Sequence, residues 1–97
     1  MILKIHKDGF GRAIVAVCDN DLIGKIIEEG KKVLDLSAEF YKGEIKSENE
    51  IELSMKIAYS LNIVGKDSIE FAIKIGVIER QNVNTIGGIP YAQSING

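Results

Sequence analysis

Ile2-Leu3-Lys4-Ile5-His6-Lys7-Asp8-Gly9-Phe10-Gly11-Arg12-Ala13-Ile14-Val15-Ala16-Val17-Cys18 opens the chain with two aliphatic, alternating runs on either side of a turn. That pattern decides the fold. Asp8-Gly9-Phe10-Gly11 supplies the turn chemistry, so Ile2 to Lys7 and Arg12 to Cys18 read as a β-hairpin. Symmetry about the turn places Ile5 opposite Ile14 and Leu3 opposite Ala16. Those four then share one side with Cys18, while Lys4, His6, Ala13 and Val15 share the other. The first side is the core candidate.

Beyond the hairpin, Asp19 or Asn20 can cap a short helical turn through Leu22 and Ile23, with Gly24 ending it, or the segment is a plain loop. Lys25 to Glu28 and Lys32 to Leu36, separated by Glu29-Gly30-Lys31, read as a second hairpin. Ser37 to Ser47 is a connector whose Phe40-Tyr41 pair is expected to plug an edge of the core. Ser47-Glu48-Asn49-Glu50 is a capping box with acids suited to the positive end of a helix. A helix is predicted from there to about Ile63, with apolar stripes Ile51, Met55, Ala58 and Leu53, Ile57, Leu61. Gly65 ends it. Asp67 or Ser68 caps a shorter helix carrying Ile69, Phe71, Ala72, Ile73 and Ile75, which Gly76 stops. Val83 to Ile86 reads as a last strand before Gly87-Gly88.

This order of strands, two helices and a strand predicts an α+β fold: a mostly antiparallel sheet built from two N-terminal hairpins and a C-terminal strand, with two helices packed on one face. A small barrel of the first four strands is the alternative. No repeat, linker or low-complexity segment interrupts the chain, so residues 1–97 read as a single domain.

With 45% hydrophobic and 27% charged residues the chain belongs to the globular class. No apolar run approaches the ~20 residues of a membrane span, and Met1-Ile2-Leu3-Lys4 lacks the form of a signal peptide. A cytoplasmic location without membrane contact is expected. The single cysteine excludes an internal disulfide and a cysteine-rich zinc site. A net charge of −2 supplies no global field for nucleic acid, so any such binding must be local.

Catalytic chemistry finds little support. In the register above, Cys18 and His6 lie on opposite faces about 16 Å apart, too far for a nucleophile and base. Cys18 reads as a small core residue and Asp19 as a cap. Carboxylates at Asp19, Asp21, Glu28 and Glu29 show no metal-ligand spacing, and no phosphate-binding loop occurs. The carboxylate pairs Asp67 with Glu70 and Glu50 with Glu52 open helices, where capping already explains them. The expectation is a non-enzymatic protein without catalytic residues, metal or cofactor.

Two segments could carry contacts. Lys4, His6, Lys7 and Arg12 gather near the first turn with Phe10 at its tip, an arrangement of phosphate-seeking charges around a stacking surface suited to RNA. Basic residues on a hairpin's solvent side also arise as protection of an exposed edge. In Thr85-Ile86-Gly87-Gly88-Ile89-Pro90-Tyr91-Ala92-Gln93, the glycines and Pro90 impose a shaped turn. Gly87, Gly88, Pro90, Tyr91 and Gln93 then form either an edge closing the sheet or a surface for a protein partner or a second copy, with the Gly87 to Ile95 segment serving as an added strand or docking surface.

The ordered set Ala16-Val17-Cys18-Asp19, Leu22-Ile23-Gly24-Lys25, Phe40-Tyr41, Ala58 with Asn62-Ile63-Val64-Gly65, and Gly87-Gly88-Ile89-Pro90-Tyr91-Ala92-Gln93 resembles the small archaeal family known as domain of unknown function 424. The resemblance spans nearly the whole chain. It implies an archaeal cytoplasmic protein in an RNA, ribosome or translation context, with no mechanism attached. Where a His often follows the proline in that family pattern, this chain has Tyr91, which argues against imidazole chemistry at the position.

Overall fold

In a computed structural model, which describes residues 1–95, the opening hairpin pairs Ile2–Lys7 (β1) with Ala13–Cys18 (β2), one residue out of the predicted register. Leu3 faces Val17, Ile5 faces Val15 and Ile2 faces Cys18. The cause is the turn. Asp8 N donates to Arg12 O at 3.1 Å and Gly11 N to Asp8 O at 3.0 Å, and Gly11 takes φ 78°, so the connection is one residue longer than mirror symmetry assumed. Because side chains alternate, this slip exchanges the faces. Val15 and Val17 join Leu3 on one, and Ala16 and Cys18 lie with Lys4 and His6 on the other.

Both faces are covered. The six-stranded sheet adds Glu44–Ile45 (β5), Ser60–Val64 (β6), Asn84–Ile86 (β7) and Ile89–Ile95 (β8) in the order β5-β1-β2-β6-β8-β7. All neighbours are antiparallel except β2 and β6. On the first face, Leu3, Val15, Val17, Leu61, Ile63 and Ala92 pack under the helices Glu48–Ile57 (α1) and Lys66–Lys74 (α2), which contribute Ile51, Met55, Ile69 and Ala72. On the second, Ala16, Cys18 and Val64 meet Leu22, Leu36 and Tyr41. The α+β class and the placement of both helices on one face agree with the sequence reading. The second hairpin, Ile26–Glu29 (β3) with Lys32–Asp35 (β4), forms its own two-stranded sheet and packs against β7.

The predicted long helix divides in two. Ser47 Oγ accepts from Glu50 N at 3.2 Å and starts α1 as expected, but Ala58 turns extended, with ψ 135°. Tyr59 N then donates to Ala13 O at 2.9 Å, which begins the central strand β6. Leu61 and Ile63 are buried on one face and Val64 on the other; the alternation Ser60-Leu61-Asn62-Ile63 is short, and Leu61 also continues the helical stripe of Leu53 and Ile57. Leu53 and Ile57, expected inside, are exposed.

The start of α2 also differs from expectation. Its N-cap is Gly65, at φ 109° and ψ 153°, and the capping side chain comes from Asp19 at the end of β2. Asp19 does precede the 3-10 turn Asn20–Leu22 but makes no side-chain cap there. Among the described residues no helix is long and apolar enough to cross a membrane.

Candidate functional site

The hairpin tip is ordered by one carboxylate. Asp8 Oδ1 accepts from Phe10 N at 2.8 Å and Arg12 N at 2.9 Å, an Asx-type closure that holds the loop open at Phe10. Asp8 Oδ2 accepts a hydrogen bond from Arg12 Nε at 2.6 Å. The Arg12 backbone N–H foremost, with smaller help from the Arg12 guanidinium and Phe10 N–H, holds the Asp8 carboxyl below the usual carboxylate range. Phe10 itself is 85% exposed.

Arg12 lies over two rings. Its guanidinium carbon is 4.9 Å from the Phe10 centroid and 4.0 Å from that of Tyr59. Tyr59 reaches this position because the helix stops before it and its N–H pairs with Ala13. Sequence reasoning placed Tyr59 inside a helix and therefore missed it. An early end to α1 was its only signal.

The remaining basic residues disperse. Lys7 lies opposite Ala13 on the first face, whereas Lys4 and His6 lie opposite Ala16 and Ile14 on the second. His6 is engaged. Its Nε2 lies 3.0 Å from Phe40 O, and its ring stacks on Phe40 with centroids 4.7 Å apart and planes 7° from parallel. Lys4 stands near Glu44, whose carboxyl is held low first by Lys46 and to a smaller extent by Lys4. The structure thus brings together Phe10, Arg12 and Tyr59, keeps Lys7 on the first face opposite Ala13, and leaves Lys4 and His6 on the other side of the sheet.

Cys18 is fully buried, and its thiol donates to Asp19 O at 3.3 Å. Burial, reinforced by Asp19 and Asp21, pushes it up to about 12. It shares the second face with His6 after all, but lies four residues along the strand pair, about 13 Å away. Among the described residues no group of three His, Cys, Asp or Glu side chains gathers to hold a metal ion.

The glycine turn joins β7 to β8, with Gly87 and Gly88 at φ 54° and 79°. Gly87 N donates to Glu29 Oε1 at 2.8 Å, tying the turn to β3. β8 pairs with β6 on one side, while on the other β7 covers only Ile89 to Tyr91, so the glycine-turn end of β8 is enclosed between two strands. Pro90 O accepts from Gly65 N at 2.9 Å. Tyr91 and Gln93 lie in register with Val64 and Asn62 and line a cavity of about 360 Å³ on the second face.

The fold and these motifs place the chain among small α+β proteins with a sheet covered on both faces. The chain belongs to the family described as "Protein of unknown function (DUF424)", whose model matches residues 9–96. No curated protein matches it. It is similar in fold to the crystal structure of an uncharacterized conserved protein from Methanopyrus kandleri, at 22% identity and a TM-score of 0.79, over 96% of this chain and 88% of that one.

Proposed function

We propose that the protein is a non-enzymatic, single-stranded RNA-binding accessory protein that contacts RNA at the hairpin end through Phe10, Arg12 and Tyr59, with Lys7 beside them. The supporting observation is the cluster: a highly exposed Phe10 together with Tyr59, and the Arg12 guanidinium within cation–π distance of both rings. Unpaired bases are recognised by stacking on aromatic rings and guanidinium planes, a mode open to single strands and closed to duplexes. Stacking, more than charge, supports this reading, because Arg12 is already paired with Asp8. The translation apparatus is the context that the family resemblance suggests.

Fluorescence anisotropy with short single-stranded RNA tests the reading. Phe10→Ala is expected to weaken binding by about 5- to 100-fold, the range for one stacked base. With Lys7 and Arg12 as the available cations, log K against log salt should slope no more steeply than about −1.5. Equal binding by Phe10→Ala and the parent would remove the hairpin end as the site.

One observation favours a second reading. Leu53, Ile57 and Ile95 are exposed by 67%, 73% and 73%, and Ile57 and Ile95 border Tyr59 and Ser60. Aromatic, arginine and aliphatic groups together suit a protein interface. In pull-downs, partners retained after nuclease treatment would favour this reading over RNA.

A further inference from the structure

We infer that the cavity between the second face of the sheet and the β3–β4 hairpin is a binding site for a small molecule that joins a flat ring to one anionic group. Its volume, about 360 Å³, falls within the range of small-ligand pockets. The floor is apolar, formed by Leu34, Val64 and Ile86, with Lys32, Tyr41, Tyr91 and Gln93 around it.

The polar groups are what distinguish this cavity from a packing gap. Among the described residues the Tyr41 and Tyr91 hydroxyls, the Gln93 amide and the Lys32 ammonium have no hydrogen-bond or ion-pair partner. Tyr41 is the most telling, because only 9% of it is exposed. A phenol so enclosed normally finds a partner. Among the described residues no fully buried side-chain oxygen or nitrogen lacks one, so the Tyr41 hydroxyl keeps access to solvent, and the cavity that Tyr41 lines provides it. Burial pushes the same phenol up to about 12, so it stays protonated and able to donate at neutral pH.

The ligand class follows from the lining. Two tyrosines and an aliphatic floor suit a planar ring, and a carboxamide offers donor and acceptor side by side to ring substituents. Lys32 supplies the positive charge at the hairpin, and no carboxylate lines the cavity to oppose it. Glu29, on the same hairpin, is held by Gly87 N. The site is separate from the hairpin end, since Val64 closes the strand that Tyr59 precedes.

The test follows amide chemical shifts of the whole chain by NMR. Phenyl phosphate, benzoate and adenosine monophosphate serve as ring anions, benzyl alcohol and adenosine as neutral rings, and inorganic phosphate as the bare anion. Ring anions should shift the amides of Lys32 to Leu34 and Tyr91 to Gln93 saturably, with the neutral rings and inorganic phosphate several-fold weaker. Tyr41→Phe should weaken binding about fivefold, the value of one hydrogen bond. Lys32→Gln should remove the preference for ring anions over neutral rings. Lys32 is exposed, so that variant keeps the test decisive even where Tyr41→Phe fails to fold. Phe10→Ala should leave these shifts unchanged, which separates this site from the RNA contact. Unmoved cavity amides at millimolar ring anion, phosphate binding as tightly as phenyl phosphate, or a Lys32→Gln variant with the parent's preference would each overturn the inference.

Discussion

Asp19 and Ser68 meet across 49 residues of sequence: Asp19 Oδ1 accepts from the backbone N–H of Ser68 at 2.8 Å and from its hydroxyl at 2.6 Å. Asp19 Oδ2 accepts from Asp67 N at 3.0 Å. One carboxylate at the end of β2 therefore satisfies the first turn of α2 and fixes that helix to the central parallel pair, where a local cap would have left helix and sheet independent.

Asp19→Ala should be strongly destabilising. It removes the cap and strands the Ser68 hydroxyl, which is fully buried, without a partner. A loss of about 2–3 kcal/mol is expected, the sum of a cap and an unmet buried polar group. Asp19→Asn keeps one acceptor and should lose about half as much. Urea unfolding monitored by circular dichroism reads both, and a midpoint for Asp19→Ala matching the parent would show that α2 holds itself.

Gly65 tests the same contact from the other side. A Cβ there would lie 2.3 Å from Asp19 Cγ, and φ 109° is unfavourable for any side chain. Gly65→Ala should therefore cost more than the usual exchange, and part of that cost should vanish once Asp19 is already Ala. A double-mutant cycle is expected to give a coupling of at least about 1 kcal/mol. Strict additivity would locate the strain in the backbone alone.

Cys18 gives a prediction in pH. Burial raises its folded value from 9.0 to about 12, so the folded state keeps its proton after the unfolded chain has lost one. Stability from this source is fully present below pH 9 and is lost as pH rises towards about 12. Tyr41, raised from 10.0 to about 12, adds in the same direction. Cys18→Ala should shallow the alkaline decline in melting temperature. The native thiol should react with a disulfide reagent only as fast as the protein opens, and prompt reaction in the folded state would reinstate Cys18 as a nucleophile.

How far the sequence could be read depended on where the ordering information lay. The Ser47 cap, both hairpins and the strand ending at Ile86 are local, and each occurs where its residues indicated. The register of β1 on β2 failed because it turns on whether the Asp8 carboxylate closes the loop, a choice that alternation does not encode. β6 was hidden because its alternation, Ser60-Leu61-Asn62-Ile63, is short and Leu61 also continues the helical stripe of Leu53 and Ile57. Asp19 was recognisable as a cap, but its helix is too distant in sequence to pair by inspection. The basic cluster near Phe10 was legible as composition only, since its division between two faces follows from the register.

The hairpin end offers a test in which removing a negative charge should strengthen binding. Asp8 pairs with Arg12 and so competes with any phosphate for the guanidinium. Its carboxyl is held low, chiefly by the Arg12 backbone N–H, so its contribution to the loop is present above the ordinary carboxylate value and lost only as pH falls through the lowered one. Between roughly pH 5 and 8, the loop and any RNA contact that depends on Asp8 should be insensitive to pH. Asp8→Asn preserves an oxygen for Phe10 N and Arg12 N while releasing the guanidinium. Under the RNA reading it should tighten binding a few-fold and steepen the salt dependence, and Phe10→Ala in that background should still weaken it. If Asp8→Asn instead loosens binding as much as Phe10→Ala does, the carboxylate is part of the contact surface, as a protein partner would require and a phosphate backbone would not.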